Sequence, residues 1–180
     1  MEIAYRADAW QAMYATVAAA SATLIGLLFV ALSLDLPAIL RNPAYLARAR
    51  EVRGGLLSLL ILSVLVLTPG QDRRVLGAEL IVGVSVLAAI GGAAQFQTLR
   101  RVSVGRRRWA LRLVPLHLGT ATALIAGASL AFGWYGGLYW LVPAVLLYLL
   151  WSVNNAWVLV VQVNATGAGP PSSSPPPGVT

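Results

Sequence analysis

An all-α, polytopic transmembrane helical bundle of five spans, with its N-terminus out and its C-terminus in, follows from three features of the chain. Apolar residues fill 58 % of the 180 positions, above the roughly 45–50 % of soluble domains, and mean hydropathy is +0.76. The apolar residues gather into five runs, over 10–34, 54–68, 75–96, 110–132 and 138–163, each long or nearly long enough to cross lipid. The arginines between the runs are distributed unevenly. The N-terminus and the second and fourth loops hold 1, 2 and 0, whereas the first and third loops hold 4 and 6. Basic residues are retained on the cytoplasmic side, which puts the first and third loops and the tail inside.

Each element has its own signals. The first span is flanked by Asp8 as its expected N-cap and by Trp10 and Tyr14 at interfacial height, and Pro37 is expected to stop it. Asn42-Pro43 reads as an N-cap followed by proline at the first helical position. The segment 43–53 then places Tyr45, Ala49, Val52 and Leu56 on one face and its charges on the others. It is expected to be an amphipathic interfacial helix that turns into, or continues as, the second span. That span is short, and a re-entrant hairpin of spans two and three competes with two full crossings. The hairpin would bury Arg73 and Arg74, each costing at least ~2.5 kcal/mol at the bilayer centre, so full crossings are preferred. Residues 97–112 are expected to form a polar loop, and Trp109 to mark re-entry into the membrane. The transmembrane domain thus covers 1–166. The remaining 167–180, rich in proline, serine and glycine, is expected to be a disordered cytoplasmic tail.

Composition excludes several classes of chemistry. The chain has no cysteine and one histidine, so disulfides, thiolate nucleophiles and paired metal ligands are not expected. No phosphate loop or nucleophile elbow is present. No enzyme activity, catalytic residue, metal or cofactor is therefore expected. A pI near 10.8 would suggest nucleic acid in a soluble protein. Here the cations sit in short loops between apolar spans, and anionic headgroups of the cytoplasmic leaflet are their nearest partner. Arg48, Arg50, Arg53, Arg106, Arg107 and Arg108 are the expected headgroup contacts; nucleic acid is not an expected partner. A cleaved signal peptide is not expected either, because the first run is about twice the length of a signal core and SLDLPAIL follows it.

Few polar groups remain at membrane depth, and each calls for a reason. Glu79 lies one turn inside the third span, close after Arg73 and Arg74. It reads as an ion pair with one of them or, alternatively, as a cation or proton site. His117 on the fourth span and Asn154 and Asn155 on the fifth lie at similar expected depth. They could make interhelical hydrogen bonds or a polar pocket in the inner leaflet. Three stripes of small residues at helical spacing read as close helix packing: Ala18, Ala22 and Gly26; Ala88 and Gly92; Gly119, Ala123, Gly127 and Ala131. Packing inside the bundle is favoured over an oligomer interface. The competing functional class is a channel or transporter for a small solute lined by Glu79, His117 and Asn154.

Two stretches carry a resemblance: SATLIGLLFVALSLDLPAIL over 21–40, and LTPGQ followed by LGAEL over 67–80. They resemble a group of small multispan membrane proteins of high-GC actinobacteria, largely uncharacterised, some labelled modulators of the membrane protease FtsH. The resemblance covers about the first half of the chain. It implies a bacterial plasma-membrane helper that acts on a membrane protein partner or by self-association, and it draws interest to Pro69, Gly70, Gln71 and Glu79. It carries over no functional residue.

Overall fold

The structure is a computed structural model that describes residues 2–34, 36–101, 106–134 and 136–167, with side chains at 2, 38, 97–101, 106–112 and 163–167 set aside. Among the described residues it is helix and turn throughout. Two short 3-10 turns, Glu2–Tyr5 and Ala7–Trp10, lead into α1 (Gln11–Leu34), α2 (Leu36–Arg41), α3 (Pro43–Leu67), α4 (Arg73–Arg101) and α5 (Arg106–Phe132). A third 3-10 turn, Gly137–Trp140, opens α6 (Leu141–Gly167). Four stretches are long and apolar enough to cross a membrane: Ala7–Leu34, Arg73–Phe96, Leu113–Phe132 and Gly137–Gln162.

The fifth long helix, α3, has arginines in its first half and packs against three of the other long helices, α1, α4 and α6. Its Val52, Leu59, Leu62 and Val66 are buried in the core. Helices α3, α4, α5 and α6 form a closed ring, each packed on the next, and α1 lies outside the ring against α3. The outward faces of α4, α5 and α6 present large aliphatic and aromatic groups, such as Val82, Ile90, Ile125, Leu150 and Trp157. So much exposed apolar surface suits hydrocarbon as the surrounding solvent.

Local chemistry explains the element ends. The Asn42 side chain accepts from the Ala44 amide at 3.0 Å, with Pro43 at the first helical position, as the sequence predicts. The 43–53 segment continues without a break into α3, its Ala49 and Val52 facing inward with Leu56. Asp8 does not cap α1; its carboxylate takes the Arg6 guanidinium, and a 3-10 turn leads into the helix instead. Pro37 does not simply end the first helix. Helix is described up to Leu34 and again over Leu36–Arg41, so Pro37 lies within a helical segment rather than ending one. The expected polar loop 97–112 is also largely helical: α4 runs on to Arg101 and α5 begins at Arg106. Arginine and leucine are good helix formers, and helix satisfies backbone groups internally as it nears lipid. The tail from 168 onward lies outside the described residues.

The two ends of the bundle differ. Residues 2–10 fold across one end and pack against Gly137–Trp140. The Tyr5 hydroxyl donates to the Trp134 carbonyl, Trp10 stands edge-on to Tyr139 at 4.7 Å, and Arg73 lies over the Tyr5 ring at 5.8 Å. Buried Ser129 ties this end together, donating to the Trp134 carbonyl at 2.7 Å and accepting from the Gly137 amide at 2.8 Å. Gly133, at φ 76°, makes the left-handed turn that lets the Gly133 and Trp134 amides both return to the Ser129 carbonyl. At the opposite end Arg48 donates to the Gln162 side chain at 2.8 Å, joining the start of α3 to the end of α6. The first and last described residues therefore lie at opposite ends of the bundle.

Candidate functional site

A cleft of about 360 Å³ opens among the described residues at the end where α3 begins. It exists because α3 and α4 touch at one level and part at another. Near the 68–72 turn, the position a Cβ would take on Gly83 is 3.5 Å from Leu65. Further along, the corresponding positions on Gly54, Gly91 and Gly92 have no neighbouring atom within 4 Å. Helices α5 and α6 supply the back wall through His117, Thr120, Tyr148 and Trp151, and exposed Arg50 and Arg53 flank Glu51 at the mouth.

Depth along the cleft can be read from contacts across it. A Cβ on Gly55 would collide with Ser152 and approach the Trp151 ring at 3.2 Å, so Gly55 is level with those residues. The Thr120 and Tyr148 hydroxyls are 2.8 Å apart, one turn further in. His117 is one turn before Thr120 and so lies near the level of Gly55. Gly55 is two positions beyond Arg53, roughly 3 Å of helix, and the hydroxyl pair lies about 7 Å in from Arg53. Along this wall the polar groups run inward from guanidinium to imidazole to hydroxyl, and Leu57, Leu87 and Ala88 line the α3 and α4 side.

The candidate polar residues do not form one site. His117 is exposed to the cleft, whereas Asn154 is exposed on the outer surface. Asn155 is buried and donates to the Trp151 carbonyl at 2.8 Å. The expected meeting of His117 with Asn154 or Asn155 does not occur. Gly119 packs on Ala144 and Leu147 at 3.5 Å, a register that sets His117 opposite Trp151, one turn short of the asparagines. Glu79 lies toward the other end, and its partner is Gln71, whose amide donates to it at 2.6 Å. It is not paired with an arginine: Arg73 covers Tyr5, and the Arg74 amide donates to Asp72 at 3.3 Å. A continuous line of Glu79, His117 and Asn154 through the bundle is absent among these side chains.

The small-residue stripes also diverge. Gly119, Ala123 and Gly127 are buried, Gly119 against α6 and Gly127 against Gly77 and Ile81 of α4. The α1 stripe is not internal: Ala22 and Gly26 are exposed, Ala18 is only partly covered, and the buried face holds Tyr14, Ser21 and Leu28. Ala88 and Gly92 are not a packing surface either, since they rim the cleft. Arg48 reaches Gln162, while Arg50 and Arg53 remain at the mouth. Arg106, Arg107 and Arg108 open α5, and their side chains lie outside the described residues.

Sequence reasoning passed over Gly77, Gly55, Ser129 and the Thr120–Tyr148 pair. Gly77 stands one turn before Ile81 on α4, a spacing that marks no partner by itself. Among the described residues no three metal-ligating side chains cluster. No family model, curated protein or solved structure matches the chain.

Proposed function

We propose that the chain is a five-span helper of the bacterial plasma membrane that acts by lateral helix contact with another membrane protein rather than by turning over a substrate. The observation that carries this reading is the outer face of α1. Ala12, Ala15, Thr16, Ala19, Ala22, Thr23 and Gly26 form one exposed stripe opposite the buried Tyr14, Ser21 and Leu28. Lipid-facing stretches of α4 and α6 carry Val82, Val86, Leu146 and Leu150 in the equivalent role. Small side chains gain little from lipid contact, but they let a second helix backbone approach closely. Five crossings with the N-terminus outside draw support from the ten-to-three arginine bias and from chain ends at opposite ends of the bundle. They also draw support from the 25 residues of α3, roughly 37 Å of helix. The membrane protease that the resemblance implies is one candidate partner, and a second copy of the chain is another.

The chain has no cysteine, which makes the test direct. Cysteine replaces Ala19 in one variant and Leu150 in another, and native membranes are treated with a short bifunctional thiol- and photo-reactive crosslinker. A discrete adduct from Ala19→Cys and none from Leu150→Cys is expected. Equal, diffuse labelling at both sites would remove the proposal. Reporter fusions that place both termini in the same compartment would remove the five-span arrangement.

A further inference from the structure

We infer that the cleft between α3 and α4 is a binding site for one anionic glycerophospholipid of the leaflet that bathes the arginine-rich end. Its phosphate would rest on Arg50 and Arg53, with one acyl chain along Gly54, Ala88, Gly91 and Gly92. The inference rests on the membrane setting proposed above but not on the partner contact of α1.

Three features of the cleft match such a molecule. The mouth carries two exposed guanidinium groups against the one carboxylate of Glu51. Guanidinium recognises phosphate through paired, charge-assisted hydrogen bonds, and neither zwitterionic headgroups nor hydrocarbon complement a net positive rim as well. Next come His117 and the Thr120–Tyr148 hydroxyl pair, within about 7 Å of helix from Arg53. These are hydrogen-bonding groups at the depth where ester carbonyls follow a phosphate. Beside these groups, along the α3 and α4 walls, run small residues with open space in front of them: nothing approaches within 4 Å of where a Cβ would stand on Gly54, Gly91 or Gly92.

The shape is consistent with this arrangement. Gly54, Leu57, Ala88 and Gly92 are exposed along the rim, so the cleft opens sideways into whatever surrounds the helices. An apolar recess beside lipid loses dispersion contacts if left empty and is too poorly supplied with polar partners to hold water along its length. A chain entering from the side fills it without crossing a closed wall.

The test uses the full chain reconstituted in nanodiscs of equimolar phosphatidylglycerol and phosphatidylcholine with identical acyl chains, then released for native mass spectrometry. One retained phosphatidylglycerol is expected, preferred over phosphatidylcholine by roughly tenfold, given about a few-fold per arginine near an anionic surface. Arg50→Gln with Arg53→Gln should erase the preference. Gly91→Leu with Gly92→Leu should lose the bound lipid of either kind, since the added side chains enter open space. Where that double variant does not fold, Ala88→Cys capped with a bulky maleimide after folding blocks the same volume. Equal retention of the two lipids by the unmodified chain would overturn the site. So would a preference that survives loss of both arginines, or lipid retention unchanged by filling the cleft. Crosslinking from Ala19→Cys reads the opposite side of α3's neighbour α1, so failure of either proposal leaves the other distinguishable.

Discussion

Helix α4 uses glycine in two opposite ways. Toward the 68–72 turn, Gly77 lies so close to α5 that a Cβ there would be 2.6 Å from the Ala131 amide nitrogen and 2.7 Å from the Gly127 carbonyl oxygen. Toward the arginine-rich end, Gly91 and Gly92 face open space. The first pair of helices is locked backbone to backbone, and the same end is closed by Ser129 and by the folded segment 2–10. At the second end α3 and α4 separate, and the cleft is the result. Small residues in a membrane helix therefore mark either the tightest contact or the widest gap, and only the neighbour decides which.

Substitution at the two kinds of glycine should break the symmetry most plainly. Gly77→Leu forces side-chain atoms into the backbone of α5, where nothing flexible can yield, and should cost about 3 kcal/mol or more. Gly91→Leu adds atoms to open space and gains up to about 0.8 kcal/mol of helix propensity. Thermal unfolding in one detergent is expected to show a large loss for the first and no loss for the second. Equal losses would mean that the cleft closes in the folded protein and that the two ends do not differ as described.

The helices themselves were readable from the chain, because apolar runs and arginine placement report the solvent of each segment directly. So was the start of α3, because Asn42 and Pro43 act locally. Two local expectations fail, the stop at Pro37 and the polar loop over 97–112, which are helical where described; the other failures concern neighbours. Stripe spacing fixes a helix face but not what lies opposite, so the α1 and α4 stripes read as packing although Ala22 and Gly92 are exposed. Sequence proximity offers Glu79 an ion pair with Arg73 or Arg74 or a cation or proton site, whereas the turn at 68–72 brings Gln71 to it. The position of Asp8 predicts a cap, but Arg6 competes for the same carboxylate. The depths of His117 and Asn155 differ by a turn because the 3-10 start of α6 and the Gly119 contact with Ala144 set a register that span lengths do not contain.

Ser129 offers an intermediate effect confined to the closed end. Its hydroxyl is the acceptor for the buried Gly137 amide and a donor to the Trp134 carbonyl. Ser129→Ala leaves that amide without a partner and should cost about 1–3 kcal/mol. Hydrogen exchange should quicken through Gly137–Trp140 and through the segment 2–10 packed on it, while the α3 start stays protected. Faster exchange spread evenly over both ends would show that they open as one unit.

The smallest effect should come from the start of α3, beside the mouth of the cleft. Proline at position 43 has no amide, so Ala44 supplies the first free donor of the helix, and the Asn42 side chain satisfies it at 3.0 Å. Asn42→Ala removes that acceptor, but Ala44 is exposed and water can replace it. The expected cost is about 1 kcal/mol, and Asn42→Gly should cost only a few tenths. The loss should show as faster exchange in the first turn of α3, with Gly137–Trp140 unaffected. A cost near that of Gly77→Leu would require the open end to be as tightly coupled to the core as the closed one, because a lone exposed cap has no other means of producing it.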